Sequence, residues 1–193
     1  YDDDDYGWDS DDDDDDDYDF DDDDSDWDED DYDFDYADGP SVEDGQAYIM
    51  VYDKEMENCF YGYGSDYLSY GAKFADIKGD GTYTVSVSAD TPEFREHSTA
   101  VPNGFSLLML GCEGTSGAAN AKVEITSLDI DGKTYEVSKD MTVETDDDFF
   151  AALIYAGELF AFDEEEGYTY GADLSGVQSW KTITITFKLT GMK

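Results

Sequence analysis

Trp180-Lys-Thr-Ile-Thr-Ile-Thr-Phe-Lys-Leu189 is the stretch on which the fold class turns. Ile183, Ile185, Phe187 and Leu189 fall on one set of alternate positions. Trp180, Thr182, Thr184, Thr186 and Lys188 fall on the other. Successive side chains of a strand point to opposite faces, so this stretch reads as a half-buried β-strand with one apolar and one wet side. Thr82–Ser88 repeats the pattern: Tyr83, Val85 and Val87 alternate with Thr82, Thr84, Ser86 and Ser88.

Outward from these two, shorter apolar runs give further strands. The candidates are Ala47–Tyr52, Asn58–Tyr63, Ala72–Ile77, Phe105–Leu110, Val123–Ile130, Lys133–Val137 and Phe149–Ala156. Asp80-Gly81 and Asp131-Gly132 are hairpin signals, because both residues tolerate the positive φ of a tight turn. About eight to ten short strands between turns, with no segment of helical period, predict an all-β antiparallel sandwich, jelly-roll-like, over residues 45–193. About 150 residues bury an adequate core without a cofactor.

Residues 1–44 have a different composition. They hold 27 of the 52 acidic residues, and the first basic residue of the chain is Lys54. The remaining 25 acids face all ten Lys and Arg, a net charge of about −15 for the body against −42 for the whole. So dense a run of Asp cannot bury enough apolar surface to offset chain entropy, so a disordered acidic tether is expected. Tyr6, Trp8, Tyr18, Phe20, Trp27, Tyr32, Phe34 and Tyr36 interrupt it. It reads as a solvated spacer, a weak Ca²⁺ collector, or a segment recognised by a basic partner.

The charge excludes several classes. Nucleic-acid binding needs a basic stripe, and the sequence has none. A membrane-surface helix needs a basic amphipathic face, and a span needs about eighteen or more apolar residues; neither pattern occurs. The single histidine, His97, lies in a polar Arg-Glu-His-Ser stretch that reads as a solvated loop, so a Ser/His/Asp triad has no support. Cys59 and Cys112 sit in apolar runs and read as buried thiols or as one staple. Two cysteines and one histidine do not make a zinc site. Asp146–Asp148 and Asp163–Glu166 read as solvated loops or as part of a structural Ca²⁺ site. A non-enzymatic chain is expected. Its first residue, Tyr1, and its Tyr-, Thr-, Ser- and Gly-rich composition suggest a piece of a larger extracellular or bacterial cell-surface protein.

Three segments carry a family resemblance. They are Ile77-Lys-Gly-Asp-Gly-Thr-Tyr-Thr-Val85, Ile125-Thr-Ser-Leu-Asp-Ile-Asp-Gly-Lys133 and Ile183-Thr-Ile-Thr-Phe-Lys-Leu-Thr-Gly191. In this order they resemble β-sandwich carbohydrate-binding modules found in surface and glycan-degrading proteins of gut clostridia and ruminococci. The resemblance spans roughly residues 46–193 and implies polysaccharide binding without catalysis. Related modules often place a tryptophan on the second strand; this chain has Phe60 and Tyr61 there.

Sugar binding requires flat rings for the C–H face of a pyranose and polar groups for its hydroxyls. Phe60, Tyr61, Tyr63, Tyr67 and Tyr70 crowd into eleven residues, with Asn58 and Asp66 among them. The expected ligand-binding set is therefore Tyr61, Tyr63, Tyr67, Tyr70, Trp180, Asn58 and Asp66. Trp180 reads equally as a core anchor, and any one of the tyrosines as a strand-pair residue. A structural or adhesive surface module without a glycan ligand is the competing reading.

Overall fold

The structure, a computed structural model, describes residues 39–62, 67–160 and 167–192. The chain divides into a first unit, Tyr1–Phe34, and a second, Asp35–Lys193. The expected acidic tether lies almost wholly outside the described residues.

The second unit is two antiparallel sheets. One contains β1 (Gln46–Tyr52), β2 (Cys59–Phe60), β3 (Ala75–Asp76), β5 (Leu107–Cys112), β8 (Val143–Thr145) and β9 (Phe150–Ala156). Its order is β2-β1-β5-β9-β8, with β3 paired to the other end of β1. The second contains β4 (Gly81–Ser88), β6 (Lys122–Ile130), β7 (Lys133–Tyr135) and β10 (Thr182–Thr190), in the order β4-β10-β6-β7.

The alternation in the opening stretch is realised in β10. Ile183, Ile185, Phe187 and Leu189 are fully buried, while the intervening residues are not. Directly opposite in register are Val87 and Val85 of β4 and Ile130 and Leu128 of β6. The facing sheet supplies Ala47, Ile49 and Val51, then Leu108 and Leu110, then Phe150, Ala152 and Ile154. The Phe150 and Phe187 rings, one from each sheet, lie 6.2 Å apart across the core.

β6 carries a kink in this pattern. Ser127 pairs with Thr186 and Ile125 with Phe187, so Thr126 is an extra residue. Such a bulge switches the strand's parity. Val123 and Ile125 pack against the core before it, and Leu128 and Ile130 after it. The Thr126 hydroxyl donates to the Thr186 carbonyl at 3.0 Å.

Asp131-Gly132 forms the expected hairpin between β6 and β7, with φ of 53° and 81°. The Asp131 carboxylate accepts the N–H groups of Lys181 and Thr182 and so fixes where β10 begins. Lys78–Gly81 departs from expectation. It turns the chain from one sheet to the other, since β3 pairs with β1 and not with β4. The Tyr83 hydroxyl, bonded to the Gly79 carbonyl and the Lys78 N–H, ties the turn down.

A short helix, α1 (Pro92–His97), was not foreseen. Thr91 caps it by accepting the Phe94 N–H, Pro92 supplies a preset φ at its start, and Phe94 anchors it in the core. One turn is too short to show periodicity in sequence. His97, at its end, is exposed as its polar stretch implies, and one face of its ring stacks on Tyr70 at 3.9 Å.

Trp180 is 0% exposed. Its ring stacks on Phe105 at 5.5 Å and its Nε1–H donates to the Gly104 carbonyl at 2.9 Å. It precedes β10, so the strand's parity does not govern it. Trp180→Ala is expected to cost about 3–5 kcal/mol in urea unfolding, and Trp180→Phe about 1–3 kcal/mol by orphaning the Gly104 carbonyl.

Cys59 and Cys112 are both buried, and no disulfide joins them. Cys59 pairs with Tyr52 and Cys112 with Ala47, five residues apart along β1 and on opposite sides of it, and therefore more than about 17 Å from each other. No disulfide spans that distance. Burial, with Glu113 adding to it, pushes the Cys112 thiol up to about 12. In a Cys59→Ser variant, Cys112 is expected to stay unreactive to a disulfide reagent at pH 8 for as long as the fold holds, and to react promptly in denaturant.

Candidate functional site

The residues expected to bind ligand do not form one surface. Tyr61 is half-buried with its ring nearly parallel to Tyr52, centroids 6.3 Å apart and planes within 6°. Tyr52 in turn meets Phe160 at 5.3 Å. Tyr70 is held against His97. Tyr67 is 46% exposed. Tyr63 and Asp66 lie outside the described residues. Two expectations are corrected. Trp180 is sealed in the core and offers no platform. Asn58 is 2% exposed, and its Nδ2 donates to Asp53 at 2.9 Å, so it cannot greet a ligand at the surface. A polar residue at the start of a strand reads as exposed in sequence; here it is buried beside Asp53.

A cleft elsewhere gathers more chemistry. β7 pairs only with Leu128–Ile130 of β6. The edge of β6 from Lys122 to Ser127 therefore has no strand partner among the described residues, and the chain beyond β7 bends away from it. The resulting cleft, about 780 Å³, is lined by Ile125–Leu128, Thr134–Ser138 and Tyr170–Asp173. That is the size of a small-molecule site.

Its far wall is fixed by backbone bonding. The N–H groups of Gly171 and Ala172 donate to the carbonyls of Leu153 and Ile154 in β9, and the Gly171 carbonyl accepts from Ser138. Gly171 is enclosed: a Cβ there would stand 2.8 Å from Val137 and 3.1 Å from the Met141 sulfur. Only a residue without a side chain lets segments 137–141 and 170–172 run this close.

The lining combines ring and hydroxyl groups. Tyr135 and Tyr170 are both half-buried, and Lys133 Nζ lies 4.5 Å from the Tyr135 ring centroid. Thr126, Ser127, Thr134 and Ser138 contribute hydroxyls, and Glu136 and Asp173 carboxylates. Hydrogen bonds from the Ser175 hydroxyl and N–H hold the Asp173 carboxyl below its ordinary range. Asp173 thus stays an acceptor at any ordinary pH. A second cleft, about 420 Å³, is lined by Lys54, Phe105, Ser106, Tyr155, Glu158, Leu159 and neighbours. Burial raises the Tyr155 hydroxyl above its usual value, and the Asp173 and Glu158 charges add to the effect.

Sequence reading missed Tyr135 and Tyr170. The signal available was the pair of polar, tyrosine-bearing stretches flanking Asp131-Gly132 and Gly167. Only the fold brings those stretches together.

Asp146–Asp148 form a bonded loop, with the Asp147 and Asp148 carbonyls accepting the N–H groups of Thr115, Gly117 and Ala118. Asp163–Glu166 lie outside the described residues. No group of three or more His, Cys, Asp or Glu is placed to hold a metal among the described residues. No helix among them is long and apolar enough to cross a membrane. No known protein family, no curated protein and no solved structure matches this chain.

Proposed function

We propose that the chain is a non-catalytic, glycan-binding module of an extracellular or cell-surface protein, and that the cleft beside the open edge of β6 receives the sugar. The cleft itself carries this reading. A pyranose presents apolar C–H faces and a rim of hydroxyls, and the lining answers both with two tyrosine rings among hydroxyls and carboxylates. The unpaired backbone groups along residues 122–127 add further donors and acceptors. The shallow shape and few contacts correspond to a Kd on the order of 10–1000 μM.

A structural or adhesive module without a glycan ligand is the second reading. The burial of Trp180 and Asn58 favours it, as does the stacking of Tyr61 and Tyr70 on their own neighbours.

Affinity electrophoresis in gels containing starch, xylan, β-glucan or mannan separates the two. Retardation is expected on at least one polysaccharide. Tyr135→Ala and Tyr170→Ala are each expected to weaken it about tenfold, or roughly 1.4 kcal/mol, while Tyr67→Ala leaves it unchanged. Migration unaltered in every gel overturns the glycan-binding reading.

A further inference from the structure

Just beyond β1 lies a buried acid that no cation among the described residues neutralises. Asp53 is 1% exposed and makes no ion pair among the described residues. Among the described residues its carboxylate accepts two hydrogen bonds, from the Glu57 N–H at 3.0 Å and from Asn58 Nδ2 at 2.9 Å. A carboxylate oxygen pair has about four acceptor sites, so these two bonds leave capacity unused. An ionised carboxyl removed from water is costly unless a cation or a full set of donors compensates it.

Two further oxygens in the same neighbourhood lack partners. Asn58 Oδ1 and Asn103 Oδ1 are buried side-chain atoms with no hydrogen bond. Asn58 is tied to Asp53 through its own Nδ2, so its Oδ1 lies on the same amide, a few ångström from the carboxylate. Asn103 is joined to the adjoining residue, its carbonyl accepting the Lys54 N–H at 3.1 Å. The Lys54 side chain is exposed: its stem runs over Gly104, it lines the cleft beside Tyr155, and it forms no ion pair with Asp53 among the described residues. Buried polar atoms are nearly always satisfied, so orphaned acceptors beside an uncompensated acid call for a shared partner.

We infer that Asp53, Asn58 and Asn103 form a binding site for a single Ca²⁺ ion. All three offer hard oxygen donors, which suit Ca²⁺, and the loop from Asp53 to Asn58 has carbonyls to add. Ca²⁺ accepts irregular coordination by neutral amide oxygens. Mg²⁺ demands a tight octahedron and gives up its waters reluctantly. One carboxylate gives a weak site, in the 10⁻⁴–10⁻³ M range typical of extracellular modules. The ion supplies the missing charge to Asp53 and the missing partner to both amides, locking the β1–β2 hairpin to the Asn103 loop.

The acidic residues at the chain's start would collect Ca²⁺ diffusely, so total binding is a poor readout. Both cysteines lie in the second unit, so melting of the full chain followed with a thiol-reactive dye reports that unit alone. At tenfold excess over Kd, CaCl₂ is expected to raise the midpoint by about 3–6 °C over EDTA at matched ionic strength, with MgCl₂ giving a smaller rise. Asn103→Ala is expected to melt like the parent in EDTA, since it removes an unsatisfied oxygen, and to lose most of the Ca²⁺ increment. Asp53→Asn is expected to lose it entirely where that variant folds. An equal Ca²⁺ increment in the parent and in Asn103→Ala, or none in either, overturns the inference.

Discussion

Everything in the second unit is referred to one row of side chains. Ile183, Ile185, Phe187 and Leu189 lie between β4 and β6 and face the other sheet, and this row sets the parity of both neighbours. A slip of one residue would turn all four into solvent and bring Thr182, Thr184, Thr186 and Lys188 inward. The Asp131 carboxylate guards against that slip at one end by holding the first two amides of the strand. At the other end the Met192 N–H donates to Asp80. The register is thus fixed by burial along its length and by carboxylates at its limits.

The cleft follows from the same constraint. The bulge at Thr126 lets β6 keep contact with β10 while its outer half loses its neighbour. The strand that would have covered that edge stops at Tyr135, and the chain departs to meet β9 through Gly171. Tyr135 and Tyr170 therefore meet across a gap made by a strand that ends early. A carbohydrate-binding role is proposed from that gap, not from the tyrosine cluster that dominates the sequence.

Much of the architecture was readable in the chain. β10, β4 and the Asp131-Gly132 hairpin have strict alternation or a turn whose φ values only certain residues accept, so local chemistry determines them. The apolar run Phe149–Ala156 reads as a strand, and β9 is that strand. The failures share a cause. Trp180 lies two residues before its strand begins, where parity no longer applies. α1 is a single turn whose Thr91 cap and Pro92 are visible only once a helix is suspected. The residues of the candidate cleft needed knowledge of which segments meet. Tyr135 and Tyr170 are 35 positions apart, and nothing local to either announces the other. Asn58 shows the opposite failure: its polarity signalled exposure, and its burial beside Asp53 depends on a hairpin no composition reveals.

An unpaired strand edge is also an invitation to aggregate, because a second copy could complete it as readily as any ligand. Along residues 122–127 that hazard is met by charge. Lys139 reaches over the edge to Glu124 at 2.6 Å, and Lys122 and Lys188 stand exposed beside it. An incoming strand would have to displace that pair and dehydrate those lysines, against the mutual repulsion of two strongly anionic bodies. The molecule can therefore keep an edge open in solution without polymerising through it, and its colloidal stability depends on the few cations it has.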